Sequence, residues 1–499
     1  MSDKKIVRTR YAPSPTGMLH VGGLRTALYA WLVAHQNNGV FALRIEDTDQ
    51  KRFVEGAVEA ILRSLHWAGI DPDEGVVMMS DGTVGEKGDK GPYTQSKRLP
   101  IYKEVVDKLV AEGNAYPCFC TSERLEELKN AQNANNEAPG YDGLCREISK
   151  EESEKRIAAG EPHTIRMKMP KDGETTFEDA IRGTVTFKNE LVDDQVILKT
   201  DGFPTYHLAV VVDDHFMELT HVIRGEEWLS STPKHIQLYK YLGWDMPLFA
   251  HLPLLLNADR SKLSKRQGDV SAESYIEKGY LAEAMVNFIA FLGWNPGGEK
   301  ELYTLPELVE SFSLERVAKA GAFFNLEKLD WYNREYLKTL PLEDLGKRLL
   351  PFLQKTEWWK EEYATKYNLA NIVTLERERV NTLAELAEAV KFAYELPEYE
   401  AGILVWKKST KEEAVKMLTE VSALLNTFSV QPVTEADYQA KIGEWVTSMG
   451  YSNGPVLWPL RVALSGSEQS PGPFAIAAAI GFEKTQERIN SALEKLSHL

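Results

Sequence analysis

Lys5-Ile6-Val7-Arg8-Thr9-Arg10-Tyr11, then Ala12-Pro13-Ser14-Pro15-Thr16-Gly17, then His20-Val21-Gly22-Gly23 is the stretch on which the fold turns. Apolar and basic residues alternate from Lys5 to Tyr11, the period of a half-buried strand. Two prolines and a glycine then exclude both a helix and a central strand. From Gly23 the period becomes helical. Leu24, Ala27, Leu28, Trp31 and Leu32 recur at three and four residues, and Asn37-Asn38-Gly39 supplies a stop. Residues 40–45 read as a buried strand that ends in Arg44-Ile45-Glu46-Asp47. Strand, helix and strand within about 40 residues predict a right-handed βαβ unit. Its first loop falls at the carboxyl edge of the sheet, where doubly wound folds bind ligands. Backbone N–H groups at a helix start favour phosphate, and the two glycines admit close approach.

Far downstream stands Ser261-Lys262-Leu263-Ser264-Lys265-Arg266, a loop with two lysines flanking a serine. By itself His20 reads as a capping or half-buried histidine, and the basic run as a solvated loop. In this order and context the two elements predict a pocket for a nucleoside triphosphate, gripped from two sides.

Their company is specific. Arg10 to Gly17 opens the chain. Then come His20 to Gly23, Arg44-Ile45-Glu46-Asp47-Thr48-Asp49, Gly91-Pro92-Tyr93-Thr94-Gln95-Ser96 and Tyr141-Asp142-Gly143. Asp201-Gly202-Phe203-Pro204-Thr205-Tyr206, Val212-Asp213-Asp214-His215, Val222-Ile223-Arg224-Gly225-Glu226-Glu227-Trp228 and Lys262 to Arg266 complete the series. In this ordered set the chain resembles the class I aminoacyl-tRNA synthetases, and among them the bacterial-type glutamyl-tRNA synthetases, over nearly its whole length. The resemblance implies a Rossmann-type doubly wound parallel sheet with an α+β insertion, followed by an all-α C-terminal half.

It also implies residue roles. His20, Gly22 and Gly23 face the ATP phosphates and ribose; Lys262, Ser264 and Lys265 hold them from the other side, with Mg²⁺ assisting. His20, Lys262 and Lys265 are the catalytic expectations. Arg10 and Arg224 match positions that hold substrate carboxylates, and arginine forks suit that task because their charge does not titrate. Glu46 matches the acid that meets the α-ammonium, and Ala12, Ser14, Tyr206 and Trp228 match pocket-lining positions. The other reading of Glu46 is a helix N-terminal carboxylate, although Asp47, Thr48 and Asp49 could cap that helix instead. Val210 stands where some relatives carry Asn. Arg379 matches a position that in some relatives reads the last anticodon base; a solvated helix arginine is the alternative.

Length and composition agree with such a chain. At 499 residues it is too long for one core. We expect the catalytic domain over 1–95 and 206–260, an acceptor-stem-binding insertion over 96–205, the KMSKS loop with a stem-contact region over 261–341, and a helical anticodon-binding region over 342–499. The sheet is expected to resume through Asp213 and Asp214, and 74–91, rich in Gly and Asp, reads as a surface loop. Helical spacing recurs over 382–393 and 410–425. The net charge of −16 counts against indiscriminate nucleic-acid affinity but leaves room for a local basic track. No apolar run is long enough to span a bilayer, and Met1 to Lys5 has no signal-peptide core, so the expected setting is cytoplasmic.

All three cysteines fall in one stretch: Cys118-x-Cys120, then Cys145-x-Glu147. Some family members carry zinc on this spacing, with Glu147 here standing where certain relatives have His. Three buried thiols are the alternative, and a disulfide is disfavoured in a reducing cytosol. The resemblance implies L-glutamate, ATP and tRNA-Glu as partners, no DNA, no membrane, and a monomer. Whether tRNA-Gln is also charged stays open. The rivals are a truncated paralogue that modifies a tRNA base, a non-catalytic tRNA-binding relative and a generic nucleotidyltransferase. Each sits poorly with an intact His20 and Lys265 beside a long helical half.

Overall fold

The structure is a computed structural model, and it describes residues 5–263, 270–428 and 430–499. The chain divides into two compact units, Met1–Ser274 with Met285–Leu326, and Tyr275–Ala284 with Glu327–Leu499. The expectations at Ser264 and Lys265 lie outside the described residues.

In the first unit β1 (Arg8–Tyr11), α1 (Val21–Gln36) and β2 (Val40–Leu43) form the βαβ unit. The two strands pair in parallel from Arg8↔Val40 to Tyr11↔Leu43. The helix ends where Asn38 takes a left-handed φ of 50°. After α2 (Ala57–Trp67), residues 74–91 do not form the surface loop expected of them. They fold as a hairpin, β3 (Glu74–Met78) and β4 (Val84–Lys87), with β3 parallel to β2. Its anchor is Glu74, which pairs with Arg8 Nη2 at 2.7 Å and accepts from Tyr93 Oη at 2.5 Å.

α3 (Leu99–Ala111) leads into β5 (Ala115–Cys118), α4 (Ser122–Ala134), α5 (Lys150–Ala158) and β6 (Thr164–Met167). β7 (Glu174–Asp179), β8 (Gly183–Lys188) and β9 (Val196–Leu198) follow. α6 (Tyr206–Phe216), β10 (His221–Gly225), α7 (Thr232–Leu242) and β11 (Leu248–Leu252) return to the nucleotide-type fold. Among the described residues the three larger sheets run β1-β2-β3-β4, β10-β11-β7-β8 and β5-β6-β9. Thr220 N–H, just before β10, donates to Arg8 O at 3.0 Å, which sets β10 beside β1. The β7–β8 hairpin therefore extends a parallel pair, through Asp179 opposite Phe249. A shared core of Tyr102, Leu109, Met167, Val211, Ile236 and Phe249 ties the 96–205 segment to α6, α7 and β11.

Asp213 and Asp214 lie on α6, not on a resumed strand. The apolar run 208–212 before them is short enough to read either way, and helix wins because both faces pack into that core. The two aspartates become the anions of a buried charge cluster. Asp213 accepts from Arg98 Nε at 2.7 Å, Gln95 Nε2 at 2.9 Å and Tyr102 Oη at 2.9 Å. Asp214 meets Arg44 Nη1 at 2.7 Å and Arg10 Nε at 3.2 Å.

The second unit is helical throughout its described residues after Glu327. Thr382 caps Leu383–Ala389 and Thr410 caps Lys411–Asn426, in keeping with the helical spacing of both stretches. Leu349, Leu386, Val421 and Ile489 are fully buried in this unit. No helix among the described residues is long and apolar enough to cross a membrane.

Replacing Asp213 with Ala leaves Arg98 buried without its anion, and unfolding in urea is expected to be easier by about 3–5 kcal/mol. A loss under about 1 kcal/mol would show that the cluster is not a keystone.

Candidate active site

At the carboxyl ends of β1, β2 and β10 opens a cleft of about 1250 Å³. Its two halves have different chemistry.

The first half begins at His20, the N-cap of α1. Its Nδ1 accepts from Gly22 N–H at 2.9 Å. The capping reading of His20 therefore holds, and it fixes the tautomer: the neutral ring carries its hydrogen on Nε2. The glycines are explained by packing. A Cβ at Gly23 would lie 2.5 Å from Tyr11 Oη, and one at Gly22 would lie 3.2 Å from the His20 ring. Lys262 lines the same cleft, with Nζ 3.7 Å from Glu227 Oε1. Both ends of the segment between Leu263 and Val270 are pinned. Leu263 N–H donates to Leu255 O at 2.8 Å on one side. On the other, Val21 N–H donates to Val270 O and Ala272 N–H to Leu19 O, each at 2.8 Å. Lys262 thus borders the cleft, and Val270 lies beside the His20 turn.

The second half is built on arginines. Arg10 spends Nε and Nη2 on Asp214 and Nη1 on Ile223 O. Glu46 is 3.0 Å from Arg44 Nη2, and burial pushes its carboxyl up against the pull of Arg44 and Arg10. The other reading of Glu46, a helix-terminal carboxylate, fails: only a 3₁₀ turn, Gln50–Arg52, follows it, without a side-chain cap from Asp49. Asp47 instead accepts from Ser96 N–H at 2.8 Å. Arg224 differs from Arg10. Its partners are Tyr206 Oη, His235 Nδ1, His251 Nε2 and Thr232 Oγ1, at 2.9–3.1 Å, and none of them is an anion. Tyr206 lies against Trp228, the rings tilted by 33° with centroids 4.1 Å apart, and Ala12 and Ser14 also line the cleft. Val210 is buried in the core.

Sequence reasoning missed Lys199, which lines the cleft with Nζ 3.1 Å from Thr48 O. It also missed the histidines behind Arg224, which no local motif marks.

In the 96–205 segment the Sγ atoms of Cys118, Cys120 and Cys145 lie within 4.8 Å of one another. Tetrahedral ligands about 2.3 Å from zinc stand about 3.8 Å apart, and Cys120 Sγ is 3.6 Å from Cys145 Sγ. Arg166 Nε, 3.3 Å from Cys118 Sγ, favours a thiolate there. Glu147 is not brought in. Its side chain is 82% exposed and pairs with Arg146. The nearby oxygen is Tyr141 Oη, 3.4 Å from Cys118 Sγ and 3.7 Å from Cys120 Sγ. In the second unit Arg379 is half exposed, with Nη1 3.8 Å from Glu376.

A capped helix start at the carboxyl ends of parallel strands, with Lys262 lining the same cleft, is the arrangement expected of a class I aminoacyl-tRNA synthetase. Residues 6–331 match the family described as tRNA synthetases class I (E and Q), catalytic domain, and residues 344–493 match an anticodon binding domain. A glutamate–tRNA ligase of Finegoldia magna is 45% identical over 495 residues, covering 98% of this chain and 99% of its own. That of Chloroherpeton thalassium is 46% identical over 513 residues, covering 99% of each. A crystal structure of a glutamate tRNA ligase from Elizabethkingia meningosepticum, in complex with its amino acid, superposes with a TM-score of 0.85. It is 36% identical and covers 98% of this chain and 99% of its own. The chain belongs to the glutamate–tRNA ligase family.

Capping by His20 can be separated from the ligand contact expected of it. His20→Asn keeps a capping acceptor, so urea stability is expected to stay within about 0.5 kcal/mol, against a loss of about 1 kcal/mol for His20→Ala. Both variants should lose most aminoacylation activity. Full activity in His20→Asn would reduce the histidine to a cap.

Proposed function

We infer that this protein attaches L-glutamate to tRNA-Glu in two steps, using ATP. In the first, the α-carboxylate attacks the α-phosphorus of ATP; that P–O bond forms, the bond to the β-phosphate oxygen breaks, and pyrophosphate leaves. The carboxylate is already a nucleophile, so no strong base is needed. The barrier is electrostatic, and fixed cations and donors answer it. His20 and the start of α1 take the triphosphate on one side, and Lys262, Ser264 and Lys265 take it on the other. Magnesium bound with ATP adds further positive charge to the phosphates. Arg224 receives the side-chain carboxylate, Glu46 the ammonium, and Arg10 with Ala12, Ser14, Tyr206 and Trp228 completes the pocket. In the second step the 2′-hydroxyl of the terminal adenosine displaces AMP from the glutamyl-adenylate.

The observation that carries this reading is the backbone pairing of residues 19–21 with 270–272, which sets Val270 beside the start of α1 while Lys262 lines the same cleft. In this reading 96–205 contacts the acceptor stem, 261–341 the stem below it, and 342–499 the anticodon, with Arg379 at a base edge. We place the enzyme in the cytoplasm, as a monomer.

Aminoacylation of purified tRNA-Glu and tRNA-Gln, each offered glutamate and glutamine, tests the reading. Glutamate on tRNA-Glu is the expected product, and glutamate on tRNA-Gln would mark the broader enzyme. Lys265→Ala should slow adenylate formation by about 10²–10³ with little change in glutamate binding. Glutamine on either tRNA, or no product with intact protein, would overturn the assignment.

The same reading gives the cysteine cluster a structural zinc ion, held by Cys118, Cys120 and Cys145, with Tyr141 Oη as the fourth donor in place of Glu147. Bound zinc would cross-link β5 to the 141–145 turn and add to the stability of that segment. Protein purified without chelator should carry about one zinc per chain by mass spectrometry. Tyr141→Phe should lose it to a competing chelator faster than Glu147→Ala. Occupancy of a few per cent would reject the site.

A further inference from the structure

Behind Arg224 the structure builds a chain of side chains that no motif announced. Asp179, at the end of β7, is fully buried, and its Oδ2 lies 2.6 Å from His251 Nδ1. His251 Nε2 lies 3.1 Å from Arg224 Nε. On the far side, His235 Nδ1 lies 3.1 Å from Arg224 Nη1, and His235 Nε2 lies 3.1 Å from His207 Nδ1. Thr232 Oγ1 accepts from Arg224 Nη2 at 2.9 Å.

Donor and acceptor counting fixes every proton in this chain. Arginine only donates. His251 Nε2 and His235 Nδ1 must therefore both be bare acceptors. His251 then carries its hydrogen on Nδ1, where Asp179 receives it. His235 carries its hydrogen on Nε2 and donates to His207 Nδ1. Burial, with Arg224 adding to it, holds His235 far below the usual histidine range, and burial brings His207 down to about 4. The rings are neutral at physiological pH. A guanidinium held only by neutral acceptors keeps its full charge for whatever enters the cleft, whereas Arg10 already faces Asp214.

We propose that Asp179 is a positioning residue for the substrate's side-chain carboxylate: by fixing the His251 tautomer it completes a clamp of neutral acceptors that aims an uncompensated Arg224 into the pocket. This rests on the glutamate reading above and adds residues to it. Asp179 never touches substrate and acts through two intervening side chains.

The geometry makes Asp179→Asn an unusually clean probe. Oδ1 of Asp179 accepts from the backbone N–H groups of Ile181, Arg182 and His251, at 3.0, 2.9 and 3.3 Å. An asparagine oxygen in that place keeps all three bonds and the β7–β8 turn. Its amide nitrogen then faces His251 Nδ1, which must accept, and the ring hydrogen moves to Nε2, against Arg224 Nε. The fold survives while the clamp reverses at one atom.

Steady-state aminoacylation with the full chain reads the outcome. In Asp179→Asn the KM for glutamate should rise about tenfold or more, with the KM values for ATP and tRNA within about twofold of wild type. Placed in an Arg224→Lys background the same substitution should add less than about twofold, because both act through one guanidinium. Nitrogen-15 NMR of labelled histidine should show His251 protonated on Nδ1 in wild type and on Nε2 in the variant. Thr232→Val, which deletes the Nη2 acceptor together with the hydroxyl's contacts to His251 Nε2 at 3.2 Å and Trp228 O at 3.3 Å, should also raise the glutamate KM selectively, and it serves if Asp179→Asn folds poorly. An unchanged glutamate KM in either folded variant overturns the proposal. So does a uniform fall in kcat with all KM values shifted, or full additivity with Arg224→Lys. A wild-type enzyme that does not charge glutamate removes the functional reading and this inference together; normal wild-type charging with an indifferent Asp179→Asn removes the inference alone.

Discussion

Three guanidinium groups and three carboxylates, nearly all out of contact with water, hold the catalytic unit together. Arg10 comes from β1, Arg44 and Glu46 from the end of β2, Arg98 from the turn before α3, and Asp213 and Asp214 from α6. Such a cluster is a poor source of net stability, since desolvating each ion costs several kcal/mol, roughly what the pairing returns. It does impose register. Each arginine has one place where its charge is met, so the four segments can close in only one arrangement. The top of that cluster is the floor of the cleft, where Arg10 and Glu46 emerge. Fold and site are the same set of contacts seen from two sides.

Charge balance within the cluster then assigns different work to the two substrate-side arginines. The family resemblance names Arg10 and Arg224 alike. Arg10 is already opposed by Asp214, and it can lend geometry to a ligand more readily than charge. Arg224 is opposed by hydroxyls and imidazoles and retains its charge. A neutral carboxamide offered to it would leave a buried cation uncompensated, a cost of the kind that separates substrates by large factors. In the reading proposed above, selection between acid and amide resides in what surrounds the arginine as much as in the arginine.

How much of this was legible beforehand depended on range. The first strand, helix and strand could be read because their periods are local and their stops, Pro13, Pro15 and Asn37 to Gly39, are strong. Lys262 and His20 could be paired only through resemblance, and both line the same cleft. The failures share one cause. Whether 208–212 is strand or helix depends on packing that period cannot report. The hairpin at 74–91 was hidden by glycine and aspartate, and Glu74 is held by Arg8 from across the sheet. Spacing alone suggested Glu147 for the thiol group, but the backbone turns that side chain outward and brings Tyr141 in. Asp179, His207, His235 and His251 lie far apart in sequence, so the chain behind Arg224 had no signature at all.

On the reading proposed above an acidic protein must still gather anionic partners, and the placement of the cations around its cleft suits that task. A net charge of −16 spread over the surface acts weakly beyond a Debye length of about 8 Å. Inside the cleft the cations are close to any ligand and poorly screened. Arg224 is almost fully buried, Lys199 is turned toward the wall by Thr48 O, and Lys262 is loosely held by Glu227. The last pair is the telling one. At 3.7 Å and half exposed, it is too weak to hold the lysine against a triphosphate, whose approach would offer more negative charge at shorter range. In the proposed reading Glu227 keeps the lysine beside the cleft without competing for it. Local arrangement, rather than total charge, decides what this surface attracts.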